Sequence, residues 1–267
     1  MRTALRRLSL VAGLVALLAT AAPVAAITHG QDDAGEHPYV GQIFFYDPSY
    51  PDPRFTDPGG WFNCSGTLIS PTVVLTAGHC TFPTGLNGAS TADGNGGNDT
   101  WISFLAEPDY DDSVFYLHDA GVIILDEPVN MPTYGTLAGL NYLDQFTGRL
   151  KTKTLFEAVG YGLERSLPHV DFGGDTRMKS QQVIINANGV YGTHDHSSIV
   201  FSNNNGTPHQ GGTCSGDSGG PFLRDNTNLV VAVNSYGVPP NCTGGDGAYR
   251  IDQPDDVAWL AGILAAN

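Results

Sequence analysis

Gly211 to Pro221 reads GGTCSGDSGGP and places five glycines, one cysteine and a single Asp217-Ser218 pair within eleven positions. Glycine gives a chain two freedoms: backbone angles that other residues avoid, and close approach of one backbone to another. A turn around a serine needs both when two backbone N–H groups must converge on one oxygen carrying developing negative charge. Gly216, Gly219 and Gly220 are therefore read as required absences of a side chain. A serine hydroxyl is also a poor nucleophile until a base takes its proton, and histidine has the pKa for that task near neutrality. The stretch thus asks for a histidine elsewhere in the chain.

Of eight histidines, His79 stands out in LTAGHC, residues 75–80, at the end of an apolar run and beside Cys80. A disulfide from Cys80 to Cys64 would fix the backbone next to its imidazole. Asp119, in HDAGVIIL at residues 118–125, stands just before another apolar run, where a carboxylate can be buried and aimed at an imidazole N–H. His118 competes with His79 as a base. If residue 118 lies on a strand its side chain points to the opposite face from that of Asp119, which ranks it below His79.

LTAGHC, HDAGVIIL and CSGDSGGP, in the order His, Asp, Ser, resemble the signature blocks TAAHC, DIAL and GDSGGP of the chymotrypsin-like (trypsin-like) serine peptidases. The resemblance extends from ITHG at residues 27–30 to the end of the chain. It implies two antiparallel Greek-key β-barrels packed together with a C-terminal α-helix. It also implies His79 as general base and acid, Asp119 orienting its imidazole, Ser218 as nucleophile, and the backbone N–H groups of Gly216 and Ser218 as oxyanion hole. Asp217 would pair with the ammonium of a mature chain beginning at Ile27. That start departs from the usual Ile-Val-Gly-Gly at Thr28 and His29.

Family members read the residue before the scissile bond in a pocket whose base lies six positions before the nucleophile. Gly212 occupies that position, with Thr213 after it, and Ser235-Tyr236-Gly237 and Gly247-Ala248-Tyr249 supply the walls. With no charge at the base, and glycines at 237 and 247 leaving a slot, an aromatic or large aliphatic side chain is expected, bound by apolar burial of about 25 cal/mol per Å². A glutamate-preferring pocket is the alternative, supported by Thr213 and Ser215. Such pockets carry a wall histidine where this chain has Val233, although His209 is near in sequence. A catalytically silent binding module on the same fold is the rival from another class.

Outward from these blocks, short runs such as YVGQIFFY, TVVLTAG, AGVIIL, QQVII and LVVAV recur between turn-rich stretches. This pattern belongs to an all-β sandwich or barrel. The chain has 34 glycines and 17 prolines, which leaves room for few long helices. One is expected at the end: Pro254 can start it, Asp255 and Asp256 complement its dipole, and Val257, Leu260, Ala261 and Leu264 follow helical spacing. Residues 27–140 read as the half carrying His79 and Asp119, the polar segment 141–153 as linker, and 154–267 as the half carrying Ser218.

The first 26 residues have arginines at 2, 6 and 7, then an apolar run from Leu8 to Leu18, then small residues up to Ala26. This reads as a secretory signal peptide, and the Arg6-Arg7 pair is at most a weak twin-arginine signal. Its removal takes away three arginines and no acids, so the formal charge goes from −15 to −18. Such acidity disfavours nucleic acid as a partner and suits an extracellular medium. The expected protein is secreted, a monomer free of the membrane once its leader is removed, with polypeptide substrates, a proteinaceous inhibitor as a further partner, and no cofactor or metal. Four cysteines in an exported chain suggest two disulfides in one of three pairings. Cys64–Cys80 with Cys214–Cys242 closes the shortest loops, each bridge contributing about 3 kcal/mol.

Three weaker signals complete the reading. Asp93–Asp99, DGNGGND, has the oxygens and glycines of a calcium loop but no closing bidentate glutamate, so it reads as a solvated loop. His194-Asp-His196 reads as exposed polar residues and not as a metal site. Asn205-Gly206-Thr207 is a sequon that matters only in a glycosylating host.

Overall fold

A computed structural model describes residues 27–47, 60–81, 90–92, 98–99, 101–146, 148, 153–167, 170–187, 197–204, 206, 208–238 and 242–267. The leader, residues 93–97 of the glycine-rich acidic segment, the 194–196 histidines, and Asn205 and Thr207 of the sequon lie outside the described residues.

The strands in chain order are β1 (Gln31–Asp32), β2 (Val40–Asp47), β3 (Gly60–Leu68), β4 (Val73–Thr76), β5 (Ser90–Ala92), β6 (Asn98–Asp99), β7 (Trp101–Ala106), β8 (Gly121–Leu125) and β9 (Thr136–Leu137). There follow β10 (Phe156–Gly160), β11 (Leu163–Leu167), β12 (Val170–Gly173), β13 (Met178–Asn186), β14 (Ser198–Ser202), β15 (Pro221–Arg224), β16 (Leu229–Gly237), β17 (Asp246–Arg250) and a helix, α1 (Pro254–Ala266). The first half is a seven-stranded sheet in the order β6-β5-β2-β3-β4-β8-β7, antiparallel throughout. In the second half β13-β10-β15-β16-β17-β14 closes through β13–β14 into a six-stranded barrel, and β11 and β12 form a separate hairpin. The fold is all-β with one C-terminal helix, as expected from the sequence.

Burial follows from the strand sequences. VVLT of β4 and GVIIL of β8 are buried on both faces, because one face meets the sheet's own interior and the other meets the second half. One core joins Val40, Ile43, Val74, Leu75 and Ile123 of the first half to Val159, Leu223, Val233 and Tyr249 of the second. The other lies inside the second barrel around Phe156, Ile199, Phe201 and Phe222, with Phe201 and Phe222 stacked at 4.1 Å between ring centroids.

Two boundaries and one helix face differ from the sequence expectation. Residues 27–32 belong with the second barrel: Ile27 is wholly buried in its core, Thr28 bridges Gly212, and β1 pairs with β13. The segment 141–153 begins as a packed element and not as a solvated link. A 3₁₀ turn, Tyr142–Gln145, buries Leu143, Phe146 follows it into the second core, and Leu143 N donates to Asp252 Oδ2 at 2.7 Å. Helix α1 turns Leu260 and the buried Asp256 inward, with Trp259, Ile263 and Leu264 flanking, while Ala261 is exposed. Asp256 takes an inward position because Tyr249 Oη donates to its Oδ2 at 2.9 Å.

Candidate active site

His79 sits in a single 3₁₀ turn, Gly78–Cys80, at the end of β4. The chain can make this sharp turn because Gly78 and Gly121 have no side chain: a Cβ on Gly78 would lie 2.9 Å from the Tyr110 ring, and one on Gly121 would lie 2.7 Å from the Ala77 carbonyl. The Cys64–Cys80 disulfide ties this turn to β3, and Cys214–Cys242 ties the serine loop to the stretch before β17.

Asp119 is fully buried and accepts three times from two directions. His79 Nδ1 lies 2.9 Å from Oδ2 and 3.1 Å from Oδ1, and the His79 backbone N–H donates to Oδ1 at 2.9 Å. From the other side Ser235 Oγ donates to Oδ2. A register shift in β16 between Asn234 and Tyr236 turns Ser235 toward the carboxylate, as bulges commonly do. The imidazole is a quarter exposed, so one edge remains open to solvent. Burial opposes a charged imidazole, but the charge and hydrogen bond of Asp119 outweigh it, and the His79 pKa is raised.

Ser218 is half-buried, in a loop held from β3 by Ser65. Ser65 N donates to Ser218 O at 2.7 Å, and Ser65 Oγ donates to Gly216 O at 2.9 Å while accepting from Tyr161 N at 2.9 Å. Thr76 Oγ1 in turn donates to Ser65 O at 2.9 Å. Gly216 (φ 97°) and Gly219 (φ 80°) are left-handed. A Cβ on Gly219 would lie 2.0 Å from Thr76 Oγ1 and 2.9 Å from Ala77 N, two residues before His79. Gly219 is thus the point at which the serine loop meets the approach to the histidine turn, while Gly216 and Gly220 pack on Gly162 and Val159. Among the described residues the Ser218 hydroxyl makes no hydrogen bond, and the Gly216 and Ser218 amides have no intramolecular acceptor.

Asp217 is buried, and its two oxygens accept from Gly162 N at 2.7 Å and Cys214 N at 2.8 Å. Burial raises its pKa to about 7 despite those two bonds, and the nearby Asp246 adds to the rise. Ile27 follows Ala26 in the unbroken chain, so it has no free amine here. It is wholly buried at φ 53°, and Thr28 N donates to Gly212 O at 2.9 Å.

Beside Ser218 lies a pocket of about 220 Å³, lined by Thr213, Cys214, Ser215, Ser235, Tyr236, Gly237 and others. Of the six residues expected at the substrate pocket, Thr213, Ser235, Tyr236 and Gly237 line it, while Gly212 and Gly247 lie behind the lining. Gly212 is pressed against Asn203 Nδ2 and Cys242 O, each 2.4 Å from where its Cβ would be. The slot expected over Gly247 is filled by the Tyr236 ring, 2.1 Å from where a Cβ there would stand. A hydrogen bond of 2.7 Å between Tyr236 Oη and Ser198 Oγ draws the ring that way.

Sequence reasoning missed two residues here. Ser65 is an ordinary serine in a strand, and only its partners, 96 and 151 positions away, mark it. Asp246 is fully buried beneath the pocket. Its Oδ2 accepts from Thr213 N at 2.9 Å and from Gln182 Nε2, and burial raises its pKa to about 7. The absence of an acid at position 212 therefore does not leave the region under the pocket without a carboxyl. Val233 is buried in the core, and His209 is not among the lining residues.

Brachyurin of Leptuca pugilator is 29% identical over 191 residues, covering 68% of this chain and 79% of that protein. A trypsin of Saccharopolyspora erythraea is 27% identical over 206 residues, covering 72% and 83%. Among solved structures, HL collagenase superposes with a TM-score of 0.67 at 17% identity, covering 90% of this chain and 99% of its own. Human heparin binding protein does so with 0.65 at 20% identity, covering 90% and 98%. Residues 30–255 match the family described as trypsin, from just after the Thr28–Gly212 bridge into helix α1, and on that extent the chain belongs to the trypsin family.

Proposed function

We propose that this chain is a secreted serine endopeptidase acting through His79, Asp119 and Ser218. His79 Nε2 takes the Ser218 proton as Oγ bonds to the substrate carbonyl carbon, and the Gly216 and Ser218 N–H groups receive the resulting oxyanion. His79 then gives that proton to the leaving nitrogen as the C–N bond breaks. A water, deprotonated by the same imidazole, releases the acyl group from Ser218. Asp119 holds the Nδ1 proton in place and stabilises the imidazolium.

One observation carries this reading: a buried carboxylate fixes the inward nitrogen, Nδ1, of a part-exposed imidazole, while the loop bearing an uncommitted serine is clamped against the approach to that same turn. Apo enzymes commonly lack the final serine–histidine hydrogen bond, which tightens when substrate arrives. The test is hydrolysis of a protein substrate by the Ser218→Ala variant and by enzyme treated with a serine-directed phosphonate. Loss of about 10⁶-fold in kcat is expected for the variant. Unaltered hydrolysis after either treatment removes Ser218 from the mechanism, and binding without hydrolysis in the unmodified chain selects the silent-module reading.

The pocket's size and its Tyr236 wall favour large apolar or aromatic side chains before the scissile bond. Asp246 supports a second reading: once ionised, above about pH 7, its carboxyl would draw a basic side chain into the same pocket. In maturation, export removes the leader and a chain beginning at Ile27 offers its ammonium to Asp217, the cation that this buried carboxyl otherwise lacks.

A further inference from the structure

Away from the pocket, on the other side of the turn that carries Asp119, four carboxylates and an imidazole converge from three parts of the chain. Glu107 follows β7 and is buried, and Asp109 lies in the next turn. His118 precedes β8 in the left-handed conformation, φ 51°, so it is not on a strand as the sequence suggested. Asp255 and Asp256 open helix α1. Ligand atoms of Glu107, Asp109 and His118 lie within 4.8 Å of one another. His118 Nδ1 is 3.2 Å from Glu107 Oε2 and 3.7 Å from Asp255 Oδ2. Two ligands of a tetrahedral ion with bonds of about 2.1 Å stand roughly 3.4 Å apart, so these separations already span the edges of such a shell.

Two buried polar atoms here have no hydrogen-bond partner, and both are of the kind a metal ion engages. His118 Nδ1 is buried and makes no hydrogen bond, although a carboxylate oxygen is within reach. Asp256 is fully buried, and its Oδ1 has no partner. Its other oxygen, Oδ2, is held by Tyr249, whose ring centroid lies 6.2 Å from that of His118. Among the described residues every ion pair formed by a lysine or arginine lies elsewhere. An imidazole nitrogen among carboxylate oxygens suits zinc-like ions better than calcium, which takes oxygen alone.

We propose that Glu107, Asp109 and His118, with Asp255 and the buried Asp256 beside them, form a binding site for one divalent transition-metal ion of the zinc class. The ion would join helix α1 to the turn that presents Asp119, because Ala120 N donates to His118 O at 2.8 Å and Glu107 N donates to Ala120 O at 2.8 Å. The site does not depend on the peptidase reading.

The test uses the full secreted chain freed of metal by chelation, with Zn²⁺ in thermal melts and Co²⁺ as a spectroscopic probe. One equivalent of Co²⁺ is expected to give visible d–d absorption, and saturating Zn²⁺ to raise the Tm by about 5 °C. His118→Asn, chosen because asparagine accepts the left-handed conformation, should weaken both effects at least about tenfold, as should Glu107→Gln. His79→Ala should leave both intact. Absorption that survives His118→Asn or disappears in His79→Ala places the ion elsewhere and overturns the proposal. So does Ca²⁺ displacing Co²⁺ at equal concentration, which would mark an oxygen-only site. A metal-free Tm of His118→Asn close to that of the parent chain shows that lost binding is not lost folding.

Discussion

At the scale of single residues, Asp119 and Ser65 show how differently two buried polar groups can serve one site. Asp119 accepts from His79 and Ser235, so Asp119→Asn offers the imidazole a donor where it needs an acceptor. A fall in kcat of about 10⁴-fold is expected, with the acid limb of the pH–rate profile moving down. That direction follows because the charge and hydrogen bond of Asp119 raise the His79 pKa, and in the proposed mechanism the base works only when neutral. In stability terms the raised imidazole pKa contributes below about pH 6.5, and the contribution is lost as pH rises through the folded value. Ser65→Ala removes the donor to Gly216 O and leaves Tyr161 N without its acceptor. A cost of about 1–3 kcal/mol in denaturant unfolding is expected, and kcat should fall more than KM rises, because Ser65 orients the loop without touching substrate. Asp119 could be proposed from the sequence because its block is local. Ser65 was not, because its role exists only once β3, β10 and the serine loop have met.

Among elements, the β16 bulge shapes the pocket and Asp246 of β17 holds its lining at Thr213, and here the sequence reading was least complete. The all-β pattern, the last helix and both disulfides could be read from alternation, helix-start residues and loop lengths. The packed turn at Leu143 and Phe146 could not, since a few apolar residues scattered through a polar stretch do not show which of them will be buried. From sequence the pocket floor is judged by one position, Gly212, yet Asp246 lies behind the lining from β17, bonded to Thr213 N. If Asp246 takes part in selection, cleavage after basic residues relative to aromatic ones should rise between about pH 6 and about pH 8, as its carboxyl, held at about 7, ionises. Asp246→Asn should abolish that rise while retaining the bond from Thr213 N. A peptide-library profile that is identical at both pH values, and in both proteins, limits Asp246 to a structural role.

For the whole molecule, the strongest pH signature comes from buried acids. Asp217 and Asp246 are raised to about 7 and Asp256 to about 8, while an unfolded aspartate titrates near about 3.9. A carboxyl raised on folding contributes fully below its unfolded pKa, and that contribution is lost as pH rises through the folded value. The chain with its leader attached should therefore lose denaturant resistance steadily from about pH 4 to about pH 8. In a chain starting at Ile27, the amine would pair with Asp217 and remove that part of the loss. A new loss should then appear above about pH 8 as the amine deprotonates. Unfolding midpoints that vary with pH in the same way for both forms would exclude the ion pair.

Residues 27–32 lie in the second barrel, and Leu260 of helix α1 packs into the core that the two halves share, so the halves are held by a borrowed strip of chain and a common interior. Severing the backbone after Lys151 should accordingly leave a nicked protein whose two pieces travel as one through a sizing column. They should part only in denaturant, as interlaced fragments do and docked ones do not.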